Sequence, residues 1–192
     1  MNASFMWEKR RTSSGKKPAP PLDAEALRAL ALRYVERFAT TRARLGAYLE
    51  RKLRERGWDA SEPPEVEALV ERIASAGYID DAAFADARAR SFTRRGLGAR
   101  RLREQLRYDG VAEPDRVGAL DIGEADRIEA LLAFARRKRI GPWAREAATD
   151  PALLNRQVAG LLRAGHAPGA AWKIARMAPG TSEEVARQLL DE

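Results

Sequence analysis

Tyr78–Ala85 reads YIDDAAFA, and its adjacent aspartates, Asp80 and Asp81, are of a type and spacing that could hold a cation or share a proton. The same residues also suit the start of a helix. With Asp80 at the N-cap, its carboxylate accepts from first-turn N–H groups, and Asp81 places negative charge at the positive end of the helix dipole. Ile79 then precedes the cap and Phe84 falls at the fourth helical position, the spacing of a hydrophobic staple. Gly77 closes the preceding helix. Every residue of the stretch then has a structural use, so the sequence predicts caps here and no catalytic pair.

Other reactive groupings are also missing. The single histidine, His166, follows Gly165 in a helix-capping position, and there are no cysteines. One histidine without thiolates cannot build a usual zinc site. A Ser–His–acid triad would need His166, and no nucleophile-elbow pattern accompanies it. Ser14–Lys17 (SGKK) lacks the earlier glycine of a phosphate-binding loop. Gly96–Gly98 (GLG) follows no strand, and Arg101 stands where a dinucleotide fingerprint needs glycine. The glycines read instead as a flexible joint between helices. The expectation is a protein that is not an enzyme, with no metal, cofactor or small-molecule substrate.

The chemistry that stands out is charge. The net charge is +7, unevenly placed. Asp59–Asp86 holds eight acids and one base, whereas Arg88–Arg107 holds eight arginines and one acid. Arg100, Arg103 and Arg107 are three and four residues apart and share a helix face, while Leu102 and Leu106 point toward a core. Arg88, Arg90, Arg94 and Arg95 lie just upstream. Guanidiniums grouped in this way grip phosphates or an acidic protein surface; the intramolecular alternative is pairing with the acids of Asp59–Asp86. A second cluster, Arg136–Arg139 (RRKR), ends its helix, where cations also suit the dipole.

The elements that must carry these groups are helices. Leu27, Leu30, Tyr34 and Phe38 form one stripe at helical spacing; Leu45, Leu49 and Leu53 form another, Val66, Leu69, Val70 and Ile73 a third, and Ile128, Leu131, Leu132 and Ala135 a later one. No convincing alternating strand exceeds four residues. Gly57, Gly77, Gly110 and Gly165 each follow a helical run, where glycine accepts the left-handed conformation of a Schellman cap. Tyr48–Trp58, Arg101–Val111 and Arg156–His166 align without gaps, at spacings of 53 and 55 residues. A period of that size implies supersecondary units that bury their faces on one another. The chain therefore divides into a disordered basic tail (1–22), an N-terminal extra helix (23–40) and three helical repeats (41–93, 94–140 and 141–192). No apolar run approaches the ~20 residues of a membrane span, so the expected location is the cytoplasm.

The ordered motifs resemble the RecX family of bacterial regulators of the RecA recombinase. The strongest likeness is Ala76–Val111: a glycine, an aromatic and an aliphatic before Asp-Asp, then Phe-Ala, an arginine-bearing helix, a glycine joint, and a helix closing in Gly plus an aliphatic. Arg42–Trp58 is similar to the family's first repeat, and Phe134–Trp143 and Arg156–His166 to its third. The likeness spans roughly Thr41 to Met177. It implies an all-α fold of tandem three-helix repeats in an elongated, curved arrangement. It further implies a monomer that binds the RecA–DNA filament and inhibits its extension, ATPase, strand exchange and co-protease activity, with single- or double-stranded DNA touched through phosphates. The matched basic residues Arg88, Arg94, Arg95, Arg100, Arg101, Arg103 and Arg107 are then the expected RecA- and DNA-binding set. The alternative is a nucleic-acid-binding helical module acting alone, or a repeat scaffold that binds only protein. His166 stands where the family has a bulky aromatic, and Asp109 where it has a base.

Overall fold

The computed structural model describes residues 19–191. Among them the chain forms ten α-helices: α1 (Ala24–Arg37), α2 (Arg42–Arg56), α3 (Val66–Ser75), α4 (Asp81–Arg94), α5 (Ala99–Tyr108), α6 (Glu113–Leu120), α7 (Glu124–Lys138), α8 (Pro151–Arg163), α9 (Pro168–Arg176) and α10 (Glu183–Asp191), with a 3-10 turn at Gly141–Trp143. The fold is all-α, as the apolar periodicity predicts. An isolated bridge between Leu22 and Trp58 is the one β pairing among the described residues.

Capping chemistry sets the helix ends. Asp80 is the N-cap of α4, and its Oδ1 accepts from the Ala83 N–H at 2.8 Å. Asp23, Thr41 and Asp150 cap α1, α2 and α8 in the same way. At the C-termini, the N–H groups of Tyr78, Val111 and His166 donate to the carbonyls of Ile73, Leu106 and Leu161 at 3.1–3.2 Å. These are the Schellman bonds expected after Gly77, Gly110 and Gly165. Two more occur that glycine spacing did not single out, at Gly96 (Leu97 N–H to Phe92 O, 2.9 Å) and at Arg139, which takes a left-handed conformation without being glycine (Ile140 N–H to Ala135 O, 2.9 Å).

Gly57 departs from the expected Schellman cap. Its φ of 82° is left-handed but its ψ of 174° is extended, so the chain leaves α2 straight. The Leu22 N–H donates to Gly57 O at 3.0 Å, and the Asp59 N–H donates to Leu22 O at 2.9 Å. The tail boundary is corrected as well. Residues 1–18 lie outside those described, but Leu22, its expected last residue, is fully buried. Covering a leucine contributes about 2 kcal/mol, so the bridge holds a core residue in place.

Three apolar clusters form the interior. Leu22, Leu27, Ala31, Leu45, Leu49, Leu69 and Ile73 join α1–α3. Ala85, Phe92, Leu102, Leu106, Val111 and Ala119 join α4–α6. Ile128, Leu131, Leu132, Leu161, Ile174 and Leu190 belong to α7–α10. Ile79 sits in the first cluster and Phe84 at the edge of the second, so the two side chains expected to staple together serve different cores.

The sequence-equivalent helices α2, α5 and α8 dock end to end. At the C-terminus of α8, the Gly98 and Arg100 N–H groups of the next helix donate to Ala164 O (2.9 Å) and Gly165 O (3.3 Å). At the C-terminus of α5, the Asp109 carbonyl accepts from Thr41 Oγ1, the cap of α2, at 2.7 Å. The glycine joint at 96–98 is correspondingly packed, in contrast to the expected flexible hinge. A Cβ on Gly98 would lie 2.2 Å from Gly165 O, and one on Gly96 would lie 2.7 Å from the Phe134 backbone nitrogen. Only hydrogen fits at these positions, because backbone meets backbone.

Candidate functional site

The arginines fall into three groups. Arg100, Arg101, Arg103 and Arg107 are exposed on α5, whose leucines Leu102 and Leu106 are fully buried. Arg100 donates to Leu162 O at 2.7 Å and lies 3.7 Å from Glu104, while Arg101 lies 3.2 Å from the same carboxylate. Arg103 and Arg107 have no ion pair among the described residues. Tyr108 beside them is 83% exposed. Arg100 and Arg103 also rim a cavity of about 370 Å³ floored by Leu97, Ile122, Ile128 and Leu131. This helix therefore offers cations with only one carboxylate, Glu104, on its own surface.

Arg94 and Arg95 form a second group, exposed at the end of α4. Packing brings them beside the end of α7, where the Arg137 guanidinium donates to Arg95 O at 2.6 Å. Arg136 pairs with Glu183 and lies 5.3 Å from the Trp143 ring, and Arg137 lies 5.3 Å from the Phe134 ring. The sequence shows Arg94–Arg95 and Arg136–Arg139 as separate clusters; the only hint that they meet is that both fall in the last turn of a helix.

Arg88 faces inward. It lies 3.3 Å from Asp109, which is fully buried, and 4.9 Å from the Phe84 ring. Asp109 also accepts from Arg44 at 2.5 Å and from Gln105 at 2.9 Å. The partners of this carboxylate therefore come from α2, α4 and α5, and the acids of Asp59–Asp86 play no part in holding Arg88. Asp81 behaves similarly. It begins α4 as the sequence predicts, but its side chain is almost wholly covered and accepts from the Arg42 N–H at 3.1 Å, capping α2 from outside. Burial raises its pKa, opposed by the Arg42 N–H and guanidinium.

His166 is buried, with Nε2–H donating to Gly96 O at 3.2 Å and the ring edge-on to Phe134. Burial holds its pKa below the ordinary value, with the Gly96 carbonyl opposing. Among the described residues no three His, Asp or Glu groups gather as metal ligands, and no helix is long and apolar enough to cross a membrane.

No family model matches the chain. It is 30% identical over 176 residues to the regulatory protein RecX of Myxococcus xanthus, covering 87% of this chain and 92% of that one. It is 33% identical over 161 residues to the regulatory protein RecX of Thermobifida fusca, covering 82% of each. Among solved structures, RecX from Lactobacillus salivarius superimposes with a TM-score of 0.60 over 87% of this chain and 96% of the other, at 16% identity, a likeness of fold.

Proposed function

The chain belongs to the RecX family, and from that membership we propose that it regulates the RecA recombinase by binding its filament on DNA, without catalysing a reaction. The observation that carries the site is the outward face of α5. Its apolar side is sealed in the core, while Arg103 and Arg107 stand in solvent unpaired among the described residues. Free guanidiniums are drawn to phosphates and carboxylates, and a bidentate grip on either is charge-assisted. Arg94 and Arg95, joined by the end of α7, extend the cationic surface. Arg88 supports this surface from behind by fixing Asp109.

In this reading the protein lies along the filament, blocks its extension and lowers ATP hydrolysis, strand exchange and co-protease activity. The test is DNA-dependent ATP hydrolysis by preformed RecA filaments. The chain is expected to suppress the rate well below one molecule per RecA subunit, and charge reversal at Arg100, Arg103 and Arg107 to relieve that suppression. A rate untouched by a large excess of the chain ends the reading; suppression that survives the reversal moves the binding face off α5.

A further inference from the structure

We propose that α1 and α2 carry a separate binding site for single-stranded nucleic acid, in which a base stacks on Phe38, the open end of a row of rings continued by Tyr34 and Tyr48, and phosphates meet Arg33, Arg37 and Arg51. These six side chains line a surface cleft of about 410 Å³, and no carboxylate is among them. The Tyr34 and Tyr48 rings are stacked with centroids 4.3 Å apart, and Phe38 continues the row at 5.3 Å from Tyr34. The row is open at one end, since Phe38 remains 54% exposed.

Cations surround these rings. The Arg51 guanidinium lies 5.6 Å and the Lys52 ammonium 5.9 Å from the Tyr48 ring, and Arg37 lies 5.9 Å from Phe38. Arg51 lies 3.9 Å from Glu55 Oε1, while Lys52 lies 2.5 Å from Oε2 of the same carboxylate. Arg33 and Arg37 have no ion pair among the described residues. An exposed aromatic ring edged with guanidiniums matches a nucleotide, whose base offers a ring and whose phosphate offers charge. The bases of a duplex keep their faces inside the helix, so the cleft selects an unpaired strand. An acidic peptide would use the cations and leave the row of rings unexplained.

This site is independent of the proposed action on RecA. None of the six residues belongs to α5.

The experiment is fluorescence anisotropy of a labelled oligo-dT of about 15 nucleotides, within the usual single-strand site range, titrated with the full chain at several salt concentrations. Phe38→Ala is expected to weaken binding about tenfold at every salt concentration, and Phe38→Trp to retain it. Phe38 is exposed at the end of α1, so neither change disturbs the core. Replacing Arg33 and Arg37 by Gln is expected to flatten the slope of log K against log salt by about 0.7 for each phosphate no longer neutralised. A matched duplex should bind at least about tenfold more weakly. Wild-type affinity in Phe38→Ala, a duplex bound as tightly as the strand, or displacement by polyglutamate as effective as by unlabelled oligo-dT each overturns the proposal. The two readings fail separately. A Phe38→Ala chain that binds oligo-dT normally overturns this site whatever happens to ATP hydrolysis, and suppression that ignores the α5 reversal leaves the cleft intact.

Discussion

Side chains hold α2 against α5, whereas α5 meets α8 through direct backbone contact, with two side chains beside it. At the first junction Thr41, Arg44, Arg88, Gln105 and Asp109 share hydrogen bonds and ion pairs, and Asp81 reaches across to the start of α2. At the second, Gly98 and Gly165 touch directly and backbone N–H groups donate to carbonyls, while the Arg100 and His166 side chains add bonds to Leu162 O and Gly96 O. Both join the end of one repeat-equivalent helix to the start of the next, yet they respond differently to substitution. A polar junction can lose one partner and hydrate, since Arg44 and Arg88 are each about one-third exposed. Where Gly98 meets the Gly165 backbone there is no side chain to move aside.

Gly98→Ala tests the rigidity of the α5–α8 junction most severely. Gly98 has an ordinary φ of −80°, so alanine carries no conformational penalty and the whole effect is collision with the Gly165 carbonyl. The expected loss is about 3 kcal/mol or more, read as the urea midpoint. A loss below about 1 kcal/mol would show that the α8 end yields and that the junction is not rigid.

Asp109→Ala should cost less, about 2 kcal/mol, below the ~3–5 kcal/mol of a fully buried pair because both arginines remain partly hydrated. Its unfolding transition should broaden or split as α1–α3 loses its hold on the rest. A single transition with an unchanged midpoint would mean that apolar packing alone carries the first junction.

The smallest effect separates the junctions by pH. Burial lowers the pKa of His166, so the unfolded chain takes up a proton at higher pH than the folded one. The stability that neutral His166 contributes is therefore complete above the unfolded value of 6.5 and is lost as pH falls through the lowered folded value. Wild type should lose urea resistance on going from about pH 7 to pH 5, and His166→Phe should lose less over that interval. Equal losses in the two proteins would remove His166 as the acid-sensitive element of the second junction.

Much of this was legible in the sequence wherever a local rule applied. Asp80 was readable as a cap because capping depends on residues within one turn, and Gly77, Gly110 and Gly165 because only glycine enters the left-handed region cheaply. Gly57 obeys the same local rule but is overridden by Leu22, a partner 35 residues away that no spacing announces. The α5 arginines were legible as a face through their own spacing. The inward turn of Arg88, the meeting of Arg95 with Arg137, and the row formed by Tyr34, Phe38 and Tyr48 required tertiary packing. Tyr34 and Phe38 appeared in the sequence only as members of an apolar stripe.

The Leu22 bridge has a consequence for any shortened form of the protein. Each helix of the α8–α5–α2 column ends in carbonyls that can accept from the start of a following segment, and Leu22 occupies the last such set at Gly57. A version beginning at Asp23 would present that acceptor bare, with the edge of a leucine-lined core beside it. The short segment across Gly57 covers both.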